Sequence, residues 1–280
     1  MKQFFPQKEW MQFWKKRKKT THKGENGRVL VIGGSEAYAG APILSSVGAL
    51  RSGADLVTLA APARVVCSAN AYCPDILGKN TNNYITDGDV HSLKKMGFVS
   101  DAVLIGNGLS QKSIPSIRKL ISYFIQNNVP LVLDATSFDA LQKMNNEKLD
   151  NCILLPHPKE FERWTGINVT EKNSSERKKI LNEIIGKKRM VINLKDNQSV
   201  IASPHFSYVN KTGNQGMTKG GFGDVLAGVT AGLWAQGMGA FASASCAAWL
   251  NGKMSGQQKQ KKWFGYIASD LLESIRDWKK

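Results

Sequence analysis

The sequence predicts an α/β protein built on a mostly parallel central sheet that is covered by helices on both faces. Three observations lead there. From residue 28 onward, short runs rich in Val, Ile and Leu alternate with longer stretches of helical periodicity. Strands separated by helices are joined by crossovers, which make a sheet parallel and bury both its faces. Second, the chemically suggestive residues Gly33-Gly34-Ser35, Gly106-Asn107-Gly108, Asp134, His157 and Lys195 each follow one of the short runs, and ligands bind at the carboxyl ends of the strands in such sheets. Third, residues 210–228, NKTGNQGMTKGGFGDVLAG, lead straight into an apolar helix with one carboxylate, Asp224, in its first turn.

The elements follow in order. Arg28-Val29-Leu30-Val31-Ile32 reads as a buried strand ended by Gly33-Gly34. Ile43, Leu44, Val47 and Leu50 share one helical face, and Gly53 is its stop. Residues 56–59 and 102–105 are further strands, and a helix near 113–126 leads into Leu131-Val132-Leu133-Asp134. Ile153-Leu154-Leu155 ends at Pro156-His157-Pro158, and a polar helix near 173–186 precedes Val191-Ile192-Asn193-Leu194. Val200-Ile201-Ala202 and Phe206-Ser207-Tyr208-Val209, on either side of Ser203-Pro204-His205, predict an antiparallel hairpin. Residues 223–236, 238–256 and 266–278 read as helices. No repeat or low-complexity linker interrupts the chain, so one domain is expected over 25–280, preceded by a basic arm over 1–24.

The charge sits unevenly. The net formal charge is +16, and the first 24 residues carry eight Lys/Arg against Glu9. Lys15-Lys16-Arg17-Lys18-Lys19 is the densest block, and Trp10, Phe13 and Trp14 precede it, which suggests a short amphipathic helix with a basic end. Two readings of this arm stand. It could meet a polyanion, nucleic acid or a membrane surface, or it is a solvated arm that packs its aromatics on the domain, the simpler reading. The rest of the composition, 42% hydrophobic with 26 glycines, fits a loop-rich enzyme. No apolar run approaches the roughly 20 residues that span a bilayer, and no secretory pattern opens the chain. The four cysteines, Cys67, Cys73, Cys152 and Cys246, form no CxxC pair, and Cys152 and Cys246 lie in apolar runs. A reducing, cytoplasmic setting with buried thiols and no zinc is expected.

The glycine-rich stretch carries the most chemistry. Backbone N–H groups at a helix start are unpaired and lie at the positive end of the helix dipole. Gly213, Gly216, Gly220, Gly221 and Gly223 let that backbone close on an anion, with Asp224 beside it as a base. Anion cradle and base together suit phosphoryl transfer to a hydroxyl. A lone Asp at a helix start is often only a cap, but an ordinary helix entry does not need five glycines. The first glycine loop, residues 33–41, lacks the GxGxxG spacing, and Asp55 precedes the second strand instead of ending it, so a dinucleotide-binding Rossmann unit is rejected. In Pro156-His157-Pro158-Lys159-Glu160 the prolines hold the backbone on both sides of the imidazole. His157 is then either a cap or a ligand contact, and its place at a strand end favours the second. Glu160 could orient Mg²⁺ through water. Lys195-Asp196-Asn197-Gln198-Ser199 is either a polar turn or a surface set against a nucleotide, and Lys211 and Lys219 flank the glycine loop.

In order, HKGENGRVLVIGGSEAYAGAPILSSVGALRSGADLVTLAAP, DAVLIGNGLS, LVLDA, LLPHPKEFERWTG, INLKDNQSVIA and NKTGNQGMTKGGFGDVLAG resemble the ADP-dependent NAD(P)H-hydrate dehydratase family over about residues 22–275. The resemblance implies a ribokinase-like three-layer α/β/α fold. It also implies a lyase that repairs hydrated NADH or NADPH, in which a nucleotide phosphorylates the ring hydroxyl and phosphate is then eliminated. By motif, Asp224 is similar to the family's base, and the backbone of Gly221, Phe222 and Gly223 to its anion hole. Ala41, Gly108 and His157 match contacts to the hydrated cofactor. Lys195, Asp196, Asn197, Gln198, Ser199 and Gly223 match the nucleotide site, and Glu160 matches an acid near Mg²⁺. ADP is implied in preference to ATP, with the S epimer as substrate, a separate epimerase supplying it, and a homo-oligomeric assembly. A small-alcohol or vitamin kinase of the same superfamily, and a non-catalytic nucleotide- or nucleic-acid-binding relative, are the alternatives. Four positions depart from the family pattern: Asn107 where Pro is usual, Lys159 for Gly, Asp196 for Gly, and Phe222 for Thr or Ser.

Overall fold

A computed structural model describes residues 6–14, 17, 19–144 and 149–276. Lys15, Lys16 and Lys18, and the side chains of Trp10, Phe13 and Trp14, lie outside the described residues. β1 (Arg28–Ile32), β2 (Leu56–Pro62), β3 (Leu77–Thr81), β4 (Ala102–Ile105), β5 (Leu131–Leu133), β6 (Cys152–Leu154), β7 (Met190–Leu194), β8 (Ser199–Ala202) and β9 (Ser207–Asn210) form one sheet in the order β3-β2-β1-β4-β5-β6-β7-β8-β9. Pairings from β3 through β7 are parallel, and β7–β8 and β8–β9 are antiparallel. The expected hairpin is therefore present, appended to a parallel sheet. The chain runs outward from β1 in one direction and from β4 in the other, which opens a crevice between their carboxyl ends.

Alternate residues of each strand feed two cores. Val29, Val31, Leu59, Leu104, Val132 and Val191 face α2 (Gly40–Arg51), α3 (Ala63–Tyr72), α9 (Phe222–Ala235), α10 (Ala240–Lys262) and α11 (Ala268–Arg276). Leu30, Ile32, Val103, Ile105, Leu133 and Ile192 face α4 (Asp87–Phe98), α5 (Ile114–Gln126), α6 (Ser137–Leu141), α7 (Pro158–Thr165) and α8 (Ser174–Ile185). This is the three-layer arrangement. Cys152 and Cys246 are buried thiols, as their apolar surroundings predicted.

Several elements were not read from the sequence. β3 is a partly exposed edge strand whose Leu77 is 47% exposed, so it carries no apolar alternation. α3 and α4 were also missed, although Thr86 and Asp89 form a capping box that a three-residue spacing could have flagged. α10 runs to Lys262, beyond the expected 256, because Lys259, Lys261 and Lys262 suit the negative end of the helix dipole. In the arm, α1 (Pro6–Trp14) packs against α10. Arg17 pairs with Asp55, which also accepts from the backbone of Gly24 and Asn26. Asp55 precedes β2, so that ion pair lies at the amino end of the sheet, opposite the crevice.

α9 positions the site. It is buried along almost its whole length, including Val225, Leu226, Val229 and Leu233. It meets α2 at backbone distance: a Cβ placed on Gly228 would sit 2.0 Å from the Ser45 carbonyl oxygen, and one on Gly232 2.7 Å from that of Ala49. Neither helix can yield without leaving the sheet. Gly228→Ala is therefore expected to cost about 3 kcal/mol or more by forcing the helices apart. Gly256→Ala, in α10 with open space around it, should instead stabilise by up to about 1 kcal/mol. Urea unfolding of the two variants measures the contrast.

Candidate active site

Gly106-Asn107-Gly108 follows β4 and is locked to both neighbours. Gly106 has φ +136°, and its backbone lies so close to the Asp134 carbonyl that a Cβ would fall 1.7 Å from that oxygen. Only glycine fits there. On the other side the Gly34 N–H donates to the Asn107 carbonyl (2.8 Å), and Gly108 sits against Tyr38 and Pro42. The loops after β1 and β4 are thus joined, which brings Gly108 beside the first turn of α2, where Ala41 lies.

The Asn107 side chain, fully buried, reaches two carboxylates. Its Nδ2 donates to Asp134 Oδ2 (2.9 Å) and to Asp224 Oδ1 (2.6 Å). Asp134 Oδ1 in turn accepts from Lys195 Nζ (2.5 Å), and Glu160 Oε2 lies 3.8 Å from the same ammonium. Four strand-end segments therefore meet in one charged group. Burial pushes the Asp224 carboxyl up to about 6, with the Asp134 charge adding to it and Asn107 and Lys195 opposing. Burial would pull the Lys195 ammonium down, but Asp134 and then Glu160 hold it above its ordinary value. Burial likewise raises Glu160 against the pull of Lys195.

His157 is the N-cap of α7. Its Nδ1 accepts from the backbone N–H of Lys159 (3.1 Å) and Glu160 (3.2 Å), and Glu160 Oε2 accepts from the His157 N–H (2.8 Å). This is a capping box built with an imidazole. Burial, then the nearby Lys195 charge, lowers the His157 pKa, so the ring is neutral near pH 7. With Nδ1 accepting, the proton is on Nε2, which lies 3.4 Å from Glu160 Oε1 on a half-exposed edge. The capping reading is thus realised, and the Nε2 edge is what remains for a ligand.

At the start of α9, Gly221 adopts φ +97° and no side chain caps the helix. A Cβ there would strike Ala268 and Leu44 at 2.7 and 2.8 Å. Phe222 does not enter the loop. Its ring is buried edge-on against Tyr266 (5.6 Å between centroids), while Asn251 Nδ2 donates to its carbonyl (3.1 Å). The loop before it is tied to the C-terminal segment by Lys219, whose Nζ donates to the carbonyls of Tyr266 (2.8 Å) and Phe264, and by Tyr266 Oη donating to Asn214 Oδ1 (2.7 Å). Lysine at 219 is spent on this tether. No side chain caps the N–H groups of the first turn of α9, which also carries Asp224.

A cleft of about 580 Å³ adjoins that helix start, lined by Lys195, Asp196, Asn197, Ser199 and Gly223, with Asn210, Thr212 and Asn251 completing its polar wall. Five of the six residues predicted for a nucleotide lie together here. Gln198 differs: it turns toward α8, where its Oε1 accepts from Ser174 Oγ (3.1 Å). The Asp196 carboxylate is drawn off by Arg177 (2.7 Å), whose guanidinium also donates to the carbonyls of Val169 and Thr170. The acid in the wall of this cleft is thereby neutralised. Sequence reasoning had not found Arg177, Asn210, Thr212 or Asn251, nor the contact of Asn107 with Asp224. A lone Arg or Asn in a polar stretch gives no signal of its partner.

A mostly parallel sheet between two helical layers, with a Gly-Asp helix start at its carboxyl edge, defines a ribokinase-like fold. The chain shares that fold at a TM-score of 0.80 with a ribokinase-like superfamily protein from Enterococcus faecalis, at 21% identity over 94% of this chain and 90% of that one. Residues 29–277 match the family described as NAD(P)H-hydrate dehydratase, and the chain belongs to that family. It is 35% identical over 266 residues to the ADP-dependent (S)-NAD(P)H-hydrate dehydratase of Nitrosopumilus maritimus, covering 92% of this chain and 90% of that protein. It also matches the ADP/ATP-dependent NAD(P)H-hydrate dehydratase of Bacillus subtilis co-crystallised with ATP/Mg²⁺, at a TM-score of 0.78 and 29% identity over 94% of this chain and 93% of that one. The chain spans about half the length (51%) of a bifunctional NAD(P)H-hydrate repair enzyme from Methanothermobacter thermautotrophicus that it also matches.

The Arg177–Asp196 pair makes a direct prediction. Arg177→Ala should destabilise the protein by about 3 kcal/mol, because it frees Asp196 and takes the guanidinium donor from the Thr170 carbonyl, while that of Val169 keeps the N–H of Lys172. Asp196→Ala should cost about 1 kcal/mol, since its partly exposed carboxylate is screened by water. Equal costs in urea unfolding would show that the pair does not anchor the turn.

Proposed function

We propose that the protein is a nucleotide-dependent NAD(P)H-hydrate dehydratase that returns the S epimer of hydrated NADH and NADPH to the intact cofactors. The observation that carries this reading is Asp224: a partly buried carboxylate with a raised pKa, in the first turn of α9, between the uncapped helix start and the joined loops of Ala41 and Gly108. Asp224 takes the proton of the ring hydroxyl as its oxygen attacks the terminal phosphorus of the nucleotide. The P–O bond to the leaving nucleotide breaks, and the N–H groups of Gly221, Phe222 and Gly223 hold the charge that builds on the transferring group. Phosphate then leaves the ring carbon, the neighbouring carbon loses a proton, and the double bond is restored. Gain of an intact nicotinamide separates this outcome from a kinase, whose product would be a stable phosphate ester.

In this reading Ala41, Gly108 and the Nε2 edge of His157 contact the hydrated cofactor. Lys195, the 196–199 turn and Gly223 contact the nucleotide, ADP being preferred to ATP. The names of the Nitrosopumilus and Bacillus proteins support the ligand classes. No three acidic, imidazole or thiol groups converge to hold a metal ion directly among the described residues. The oxygen donors fit a hydrated Mg²⁺ carried on the phosphates, with Glu160 reached through water. Such an ion would offset phosphate charge when bound. Residues 25–280 carry this chemistry, with 1–24 as an arm. A homo-oligomer in the cytoplasm, fed by an epimerase, completes the proposal. No helix among the described residues is long and apolar enough to cross a membrane.

The test incubates the protein with hydrated NADH, Mg²⁺ and either ADP or ATP and follows the absorbance of the reduced nicotinamide. Recovery is expected with ADP. A phosphorylated ring without recovery would make the protein a kinase. Because Asp224 must be ionised to act, activity should be full above its pKa of about 6 and fall tenfold per unit below it. Asp224→Asn should lower kcat by at least about 10³-fold. The fold binds a proton at Asp224 more tightly than the unfolded chain does, so its ionisation costs stability as pH rises from about 4 to 6. Asp224→Asn is therefore expected to be more stable than the parent at pH 8, by roughly 2 kcal/mol. A less stable variant at pH 8 would contradict the raised pKa.

A further inference from the structure

Asn107 touches Asp224 but belongs to none of the roles above. Its Nδ2 has two hydrogens, and each is given to a carboxylate: one to Asp134 Oδ2 (2.9 Å), one to Asp224 Oδ1 (2.6 Å). The orientation of the amide is fixed by chemistry, because the reverse one would set its carbonyl oxygen between two anions. Its Oδ1 has no partner among the described residues, so both bonds that the side chain makes are spent on these acids. The residue is fully buried, and its backbone is held between Gly34 and the Gly106–Asp134 contact. Asp134 in turn holds Lys195, which lines the nucleotide cleft. A continuous chain, Lys195–Asp134–Asn107–Asp224, thus runs from the cleft to the base.

We infer that Asn107 is a positioning residue for proton abstraction: it occupies Asp224 Oδ1 and leaves Oδ2 as the atom that takes the proton of the substrate hydroxyl. In that step the O–H bond breaks, the proton passes to Oδ2, and the freed electron pair forms the bond to phosphorus. The inference rests on the reading of Asp224 as the base. It adds that the acceptor atom is selected, and that the shared donor, together with Lys195, favours the ionised form of Asp224 beside Asp134. The elements packed on α9 offer little else. Apart from Asp134 after β5 and Lys195 after β7, the charged side chains described on them are Arg28 at the far end of β1, Arg51 in the last turn of α2, Lys253 and the terminal lysines of α10, and Asp270 and Glu273 of α11. Only Asp134 and Lys195 act appreciably on Asp224 through charge.

The experiment measures kcat against pH for the full-length protein and for Asn107→Leu, with hydrated NADH, Mg²⁺ and ADP. Removing a hydrogen bond to a charged group should move the acid limb up by about one pH unit. Relative to the parent, kcat should then fall about fivefold further at pH 6 than at pH 8.5, with the KM for ADP unchanged within about twofold. A purely structural role would give a loss independent of pH. A limb that stays in place overturns the inference, whether or not kcat falls. Asp224→Asn runs alongside: if it stays active, the base reading fails and this inference falls with it; if it is inactive while the Asn107→Leu limb is unmoved, the inference alone fails. Should Asn107→Leu not fold, Asn107→Ser gives the same comparison. The Asn107 side-chain amide signals of the ¹⁵N-labelled parent also decide it: they should shift with pH along the same curve as kcat, and fixed signals would overturn the inference.

Discussion

The close passage of α9 over α2 is the constraint on which the rest depends. A helix with no polar face can be kept only inside a protein, and α9 is kept there by small residues that let its backbone reach that of α2: Gly48 against Val225, Ser45 against Gly228, Ala49 and Ser52 against Gly232. This contact fixes more than stability. It sets the height of the first turn of α9 above the sheet, and therefore where Asp224 and the unpaired N–H groups lie. Gly221 completes the arrangement, since Leu44 of α2 and Ala268 of α11 leave no room for a side chain there. The geometry around Asp224 is thus a by-product of backbone packing.

The second consequence is electrostatic. Asp134, Glu160 and Asp224 gather around one ammonium, Lys195. Asp224 has no ammonium of its own, and burial, with the Asp134 charge added to it, raises its carboxyl. A base needs a proton affinity high enough to compete and low enough to stay ionised near neutral pH. Burial supplies the first and the Asn107 amide the second. The same negative charges would repel a nucleotide. The helix start, the removal of Asp196 by Arg177 and a hydrated cation brought with the phosphates each work against that repulsion.

Much of this was legible in the sequence, for identifiable reasons. Strands buried on both faces must be apolar throughout, so β1, β4, β5 and β7 stood out. The loops after them carried Gly, Asp, His and Lys, which a buried sheet does not use at random. β3 was invisible because an exposed edge strand needs no such pattern, and α4 was passed over because only its capping box announced it. In the site, the glycine loop with Asp224 was legible since glycines and an acid at a helix start have few other uses. Partners across the fold were not. Nothing adjacent in sequence says that Asn107 meets Asp224, 117 positions away, or that Arg177 neutralises Asp196. For His157, placed at a strand end, cap and ligand contact were both open, and the structure uses its Nδ1 as the cap that starts α7.

Three of the four departures from the family pattern, Phe222, Asp196 and Asn107, gain a common explanation. Phe222 loses a hydroxyl beside the helix start, yet its ring packs on Tyr266 while its backbone stays in the loop. Asp196 adds an acid, yet brings its own counter-charge from α8. Asn107 adds an amide where an imino acid could donate nothing, and spends both its hydrogens on the two acids whose repulsion the site must bear. Each change leaves the backbone N–H groups and Asp224 where α9 puts them. A site whose reacting geometry is set by main-chain packing can accept new side chains around it, provided each arrives with its charge and hydrogen bonds already satisfied. The departures that would not be tolerated are those that add atoms between α2 and α9, because no rearrangement of side chains could restore the position of the helix start.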